Sequence, residues 1–442
     1  MSDHDRRLHL GISISNAWTG GTAWRRTNSR AEDLFRGSFF IDIARKAERA
    51  KLDFVFRADG VSLERDRLER HPVGRLDPVP LLGAIAGATE HIGVVGTAST
   101  SFSEPYNLAR AFGSLDLVSD GRAGWNIVTS QVGERNFGQD EVAGHDERYA
   151  RAQEFVDVAR ALWASWPGDA VLVDREQGRY ADASRIRAID HRGEYFRVEG
   201  PLNVPASAQG GPVLFQAGAS ERGRDFAARN ADAIFAATAA LDVATELYRD
   251  IRRRAESHGR NPDHIKVLPG AHIYVGETQA EAERLYREVR EDDDINEGFG
   301  RLQRVFGIDF RAFELDRVVP EEAIPEISTL PTAQTHASLF RRLFVDERLT
   351  LREVLRDHVI VGANHWRIVG APEVVADQIA ERFLGGADDG NVFIPGSYPE
   401  TFDLFFDAVV PILQDRGLFR REYESGTLRG NLGLPLSGAA SR

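Results

Sequence analysis

The chain contains no cysteine, which removes disulfides, thiolate zinc sites, iron–sulfur clusters and a cysteine nucleophile from consideration. It also lacks an uninterrupted apolar run. The most hydrophobic stretch, Val79 to Gly96, is broken by Thr89, Glu90 and His91, so it cannot supply the roughly 20 apolar residues of a membrane-spanning helix. Positive charge is in deficit: 55 Lys and Arg stand against 68 Asp and Glu, a formal net charge of −13. Such a surface repels nucleic acid and anionic membrane. The opening MSDHDRRLHLGIS has neither an apolar h-region nor a small-residue cleavage site, so a soluble, cytoplasmic protein is the expectation. Chemical signatures are missing too. No strand leads into GxGxxG, the 12 histidines show no HExxH or other metal-ligand spacing, and there is no GxSxG nucleophile elbow.

What is present is ordinary globular material, with 42% hydrophobic and 28% charged residues over 442 positions, enough for a large buried core. Short β-rich runs alternate with longer helical patterns. The candidate strands are His9 to Ser15, Asp53 to Asp59, Ile92 to Thr100, Ala123 to Ser130, Val213 to Gly218, Ala233 to Ala237, Lys266 to Val275 and Asn391 to Pro395. Ser29 followed by Glu32 has the spacing of a capping box, and Phe35, Phe39, Ile43, Ala47 and Ala50 then share one helical face. Continuous Val/Ile/Phe strands alternating with helices argue for a parallel sheet covered by helices. Eight such units predict a single (α/β)8 barrel, with an open doubly wound sheet as the competing architecture. Two segments break the rhythm and read as insertions, 167–211 and 291–366, either covering the mouth or serving as contacts and decoration. Within the first, HRGEYFRVEG reads as a strand pair. The tail 418–442 reads as irregular.

Polar residues gather at the predicted C-terminal ends of strands: Asp59, Thr97 to Ser101, Asn126 to Ser130 and Gln216 to Ser220. That is the face on which parallel α/β folds bind ligands. A helix is expected to begin near Ser220 after the small residues Gly218 and Ala219, and its free N–H groups suit a phosphate; ordinary serine capping is the alternative. Arg224 and Asp225 follow Gly223, so this is not a P-loop. His145 and Tyr149 lie four residues apart on one face of another helix. They either grip a ligand or serve as a cap-region residue and a core aromatic.

These motifs carry a resemblance. GWNIVTS at 124–130, ERY at 147–149 behind His145, QAGAS at 216–220, GPLNVP at 200–205 and NLGLP at 431–435 together resemble the nitrilotriacetate and dibenzothiophene sulfone monooxygenase branch of the luciferase-like superfamily. The resemblance spans nearly the whole chain in the same order. It implies an (α/β)8 barrel of the bacterial-luciferase type, dimeric or tetrameric. The implied enzyme is a two-component monooxygenase that uses reduced FMN and O2, through a flavin peroxide, on a small organic substrate. A separate NAD(P)H:flavin reductase would supply the cofactor. By the same resemblance the flavin contacts are Asp59, Thr97, Asn126, His145, Tyr149, Gly218, Ala219 and Ser220, with His145 and Asn126 as catalytic candidates. Carbon–nitrogen cleavage such as riboflavin lysis is the alternative within the family, and a deazaflavin-dependent hydride transferase the alternative on the same barrel. Arg57 departs from the pattern, standing where a small or apolar residue is more usual before Ala58 and Asp59.

Overall fold

The computed structural model describes residues 6–218, 220–290, 295–327, 330, 334–359 and 365–436. Its centre is a curled, wholly parallel sheet of ten strands. In chain order these are β1 His9–Ser13, β2 Phe54–Arg57, β3 Gly93–Ser99, β4 Ala123–Val128, β5 Val213–Gln216, β6 Ala233–Ile234, β7 Lys266–Val267, β8 Gly270–Val275, β9 Trp366–Gly370 and β10 Gly390–Pro395. Across the sheet they run β7-β6-β5-β4-β3-β2-β1-β10-β8-β9. All eight expected strands are present. The one written as Lys266 to Val275 is interrupted at Pro269, which has no N–H to donate to a ladder. Around that break, Leu268 and Gly270 donate backbone hydrogen bonds to Ile234 and Ala236, while Val267 and Pro269 accept from Asp389 and Val392.

Because side chains alternate across each strand, the sheet has two apolar faces. Val55, Val94, Ile127, Ala271 and Ile273 pack outward against the helices. Phe54, Phe56, Val95, Val213, Phe215 and Val392 pack inward. The inner face is aromatic, with Phe54 edge-on to Phe215 at 5.0 Å and Phe56 stacked on Phe235 at 5.3 Å.

Three local expectations change. Helix α1 covers Gly37–Arg49 with no side-chain cap: Ser29 donates its hydroxyl to Trp24 O instead, and Arg30 turns into the left-handed region at φ 54°, so no capping box forms there. Phe39, Ile43 and Ala47 are buried as expected, but Phe35 is 61% exposed. The segment 291–366 contributes helices Ile295–Phe306 and Gln334–Val345, which share a separate apolar cluster. Its last residue, Trp366, already belongs to β9. The tail folds back under the sheet, where Leu428, Leu432 and Leu434 join the inner-face cluster and Arg420 pairs with buried Asp53. The strand pair expected in HRGEYFRVEG forms between His191–Arg192 and Arg197–Val198. Among the described residues no helix is long and apolar enough to cross a membrane.

Candidate functional site

The strand ends meet in two groups. Thr97 on β3 is in register with Asn126 on β4, and Asn126 Nδ2 donates to Thr97 Oγ1 at 2.9 Å. Both residues are buried, yet Asn126 Oδ1 has no hydrogen-bond partner among the described residues. An unpaired buried amide oxygen costs about 1–3 kcal/mol, so this atom is poised to accept from something bound.

The second group forms one strand further on. Asn126 and Ile127 are in register with Phe215 and Gln216 of β5, and Gln216 Oε1 accepts from Gly218 N at 2.8 Å. Ser220 caps helix α5, Glu221–Asn230, accepting from Gly223 N at 3.1 Å. Its hydroxyl lies 3.3 Å from His145 Nε2, and His145 is the first residue of helix α4, His145–Ala164. Two helix N-termini therefore converge on one point, and their positive dipole ends favour an anion. A Cβ at Gly218 would sit 2.5 Å from Gln216 Nε2, 2.7 Å from the Tyr149 hydroxyl and 3.0 Å from Gly223 Cα, so a larger residue there would displace these neighbours. Tyr149 packs as a core aromatic: its ring is buried against Phe226, and its hydroxyl reaches the Gly218 turn. Exposed Asp146 and Glu147 in the first turn of α4 oppose an anion, and Arg222 offsets Asp146 from 3.7 Å. Ala219 lies outside the described residues.

Asp59 is brought elsewhere. It sits half-buried beyond β2, where burial raises its carboxyl, opposed by the Gly60 N–H and Arg75. Arg57, immediately before Ala58, is fully buried beside the same loop.

The sequence reading did not single out His272 or His365. Ala271 and Ile273 of β8 face outward, so His272 faces the inner side, with His365 at 5.7 Å between ring centres and Phe235 beyond it. Burial, reinforced by the neighbouring charges of His365, Arg290 and Arg367, lowers His272 to about 3, so it is neutral at working pH. The polar–apolar alternation of AHIYV was the available signal.

Residues 14–389 match the luciferase-like monooxygenase family. The chain belongs to that family. It is 37% identical over 439 residues to an N-acetyl-S-(2-succino)cysteine monooxygenase of Bacillus subtilis (strain 168), covering 98% of both chains. It is 40% identical over 446 residues to nitrilotriacetate monooxygenase component A of Aminobacter aminovorans, covering 97% of both. Among solved structures, a riboflavin lyase with modified FMN and riboflavin superposes at TM-score 0.86 with 33% identity, covering 98% of this chain and 97% of that one. The expected flavin-dependent monooxygenase of a two-component system stands, and the protein is an enzyme of this class. The curl of the parallel sheet and the strand-end site agree with that membership.

Proposed function

We propose that this chain is the oxygenating component of an FMN-dependent monooxygenase, receiving reduced FMN from a separate NAD(P)H:flavin reductase. One observation carries the reading: a buried amide with a free oxygen, Asn126 Oδ1, lies one strand from a point where two helix N-termini converge. In this reading Ser220, His145 and the first-turn N–H groups of α5 hold the FMN phosphate. Tyr149 fixes the turn behind it. Thr97 takes the Asn126 N–H and so leaves Oδ1 to accept from the flavin ring, while Asp59 stands at the rim. Bound reduced FMN supplies the oxygen activation. The chain's part is to orient substrate and exclude water, and the aromatic inner face of Phe56, Phe215 and Phe235 suits that task. His145 is assigned to binding, since its two nitrogens lie at 3.3 Å from Ser220 and Asp146. Asn126 is the residue assigned nearest the chemistry.

We further read the chain as one luciferase-like barrel domain with insertions at 167–211 and 291–366. Segment 266–275 would be the stave that closes eight strands, because its backbone bonds reach β6 on one side and β10 on the other.

The test is oxygen consumption and product formation with chemically reduced FMN and a substrate panel, read by mass spectrometry. Substrate-dependent product with matching oxygen uptake is expected, and NADH alone should not be oxidised because no dinucleotide fingerprint is present. Robust NADH oxidation by the isolated chain, or product formation without oxygen uptake, defeats the reading. Likeness to the riboflavin lyase favours a second reading, carbon–nitrogen cleavage of riboflavin, and including riboflavin in the same panel decides between them.

A further inference from the structure

Two buried arginines, one at the end of β2 and one ahead of β4 two strands away, have no carboxylate hydrogen-bonded to them among the described residues, and they differ in how their donors are used. Arg122, ahead of β4, spends all its N–H groups on protein: Nε donates to Ser119 O, Nη1 to Thr89 Oγ1 and Ile92 O, and Nη2 to Ala86 O and Thr89 O. Its role is structural. Arg57, at the end of β2, makes one short bond, Nη1 to Ile14 O at 2.8 Å. Its other hydrogen bonds are long, 3.4 Å to Asn16 Oδ1 and 3.5 Å to Leu76 O, its guanidinium lies over the Phe40 ring at 5.2 Å, and Nε has no hydrogen-bond partner among the described residues. A fully buried guanidinium with spare donors is costly unless an acceptor arrives.

Arg57 lines a cleft of about 240 Å³ between the loops that follow β1 and β2. Its lining includes Asn16, Arg57, Arg67, His71 and Arg75, with Glu64 as its acid. Among the described lining residues three guanidiniums stand against one carboxylate, in a chain of net charge −13. Glu64 is itself bound to Arg67 at 3.0 Å. Burial first and the nearby Arg75 charge second push the Arg57 guanidinium down to about 10, with the Asp59 charge opposing. Arg301, from the helix Ile295–Phe306, feels both Arg67 and Glu64, so that helix stands near this cleft. The cleft also reaches Ala58, the residue before Asp59, at the same end of the sheet as Thr97 and Asn126.

We propose that this cleft recognises the carboxylate end of a small polyanionic substrate, with Arg57 and Arg75 as the residues that bind it. The assignment rests on the monooxygenase reading above only for the word substrate. Guanidinium forks match carboxylate geometry, and at buried Arg57 little water competes.

The test uses the full chain loaded with oxidised FMN, titrated calorimetrically with nitrilotriacetate, succinate and glutarate, and with the trimethyl ester of nitrilotriacetate as the uncharged control. Saturable binding of at least one carboxylate and none of the ester is expected. Arg75→Ala should weaken that binding by at least about tenfold and Arg75→Lys by less, as for loss of a charge-assisted pair. Arg75 is exposed, so its removal leaves no buried vacancy. Arg57→Lys should act in the same direction and is read beside its thermal unfolding curve. FMN affinity, measured in the same variants, should not follow the carboxylate loss. Absence of carboxylate binding, equal binding of the ester, tighter binding of inorganic sulfate, or an unaffected Arg75→Ala variant would each overturn the assignment. If carboxylates bind but the chain, titrated anaerobically, takes up no reduced FMN, the monooxygenase reading fails and the cleft assignment stands.

Discussion

Placing a carboxylate at position 220 separates a phosphate site from a helix cap. The Ser220 hydroxyl accepts from Gly223 N at 3.1 Å and lies 3.3 Å from His145 Nε2. In Ser220→Asp the new oxygens can accept from both groups, and aspartate caps helices about as well as serine, so the unliganded fold should keep its melting temperature. The FMN phosphate fares differently. Losing a charge-assisted hydrogen bond costs about 1.5–3 kcal/mol. Repulsion between unit charges about 4 Å apart adds about 1 kcal/mol if solvated and about 4 kcal/mol at an effective dielectric of 20. The minimum sum, about 2.5 kcal/mol, is roughly seventyfold in affinity. Riboflavin has the same ring and no phosphate, and its affinity should move by less than about threefold, the scatter expected of small contact changes. Anaerobic titration of the variant with both reduced flavins reads the difference directly. Equal changes for FMN and riboflavin, or none for either, would remove Ser220 and the α4–α5 convergence from phosphate binding.

Thr97→Val removes the acceptor of the Asn126 N–H, so the amide loses its fixed orientation. The ratio of hydrogen peroxide released to product formed should rise severalfold while FMN binding changes little, and an unchanged ratio would detach this pair from the chemistry. Arg420→Ala leaves Asp53 buried without its main partner, a loss of about 3–5 kcal/mol at pH 7. In the native protein burial alone would raise the Asp53 carboxyl, but Arg420, with help from His9, outweighs it and holds it below its ordinary value. That stabilisation is present above the ordinary carboxylate range and is lost as pH falls through the lowered value, so the gap between native and variant should narrow below about pH 4 in denaturant unfolding; a constant gap refutes the pairing. Leu428→Ala empties the underside of the sheet, where Leu428 packs against Gly93. It should cost about 2–5 kcal/mol in denaturant unfolding with FMN affinity retained, and a loss below about 1 kcal/mol would make the tail a surface segment.

The strands were legible because a strand covered on both faces reads as an unbroken apolar run, as FVF of β2 and VLF of β5 do. WRIVG of β9 was not, being a short run at the end of a polar stretch and flanking the sheet beyond β8. The false capping box shows where local pattern yields to context. Ser29 and Glu32 have the right spacing, but the left-handed turn at Arg30 separates them from a helix that starts only at Gly37. A capping box does form at Thr350 and Glu353, where Thr350 accepts from Glu353 N and the Glu353 carboxylate accepts from Thr350 N. The tail was invisible as a plug because Leu428, Leu432 and Leu434 follow no strand or long-helix period. Long-range contacts hold them at the inner face, among them the pairs Arg420–Asp53 and Arg429–Asp232 and the bond from Leu428 N to Gly121 O.

The candidate site was half legible for a topological reason. Each polar cluster could be placed at a strand end from local sequence, but which clusters touch depends on strand order. His145 and Ser220 are 75 residues apart with the 167–211 insertion between them, and they meet because β4 and β5 are neighbours and each feeds a helix at the same end of the sheet. Asp59 follows β2, two strands away from β4, and so falls toward Arg57 and Arg75 rather than toward Asn126. Net charge is equally blind to this arrangement. At physiological ionic strength the Debye length is about 8 Å, so exposed acids farther away barely reach either place. The local potential is set by N–H groups at two helix starts and by guanidiniums around one cleft. A chain of net charge −13 can therefore present two separate positive pockets on a single rim, one shaped by backbone dipoles and the other by side-chain forks.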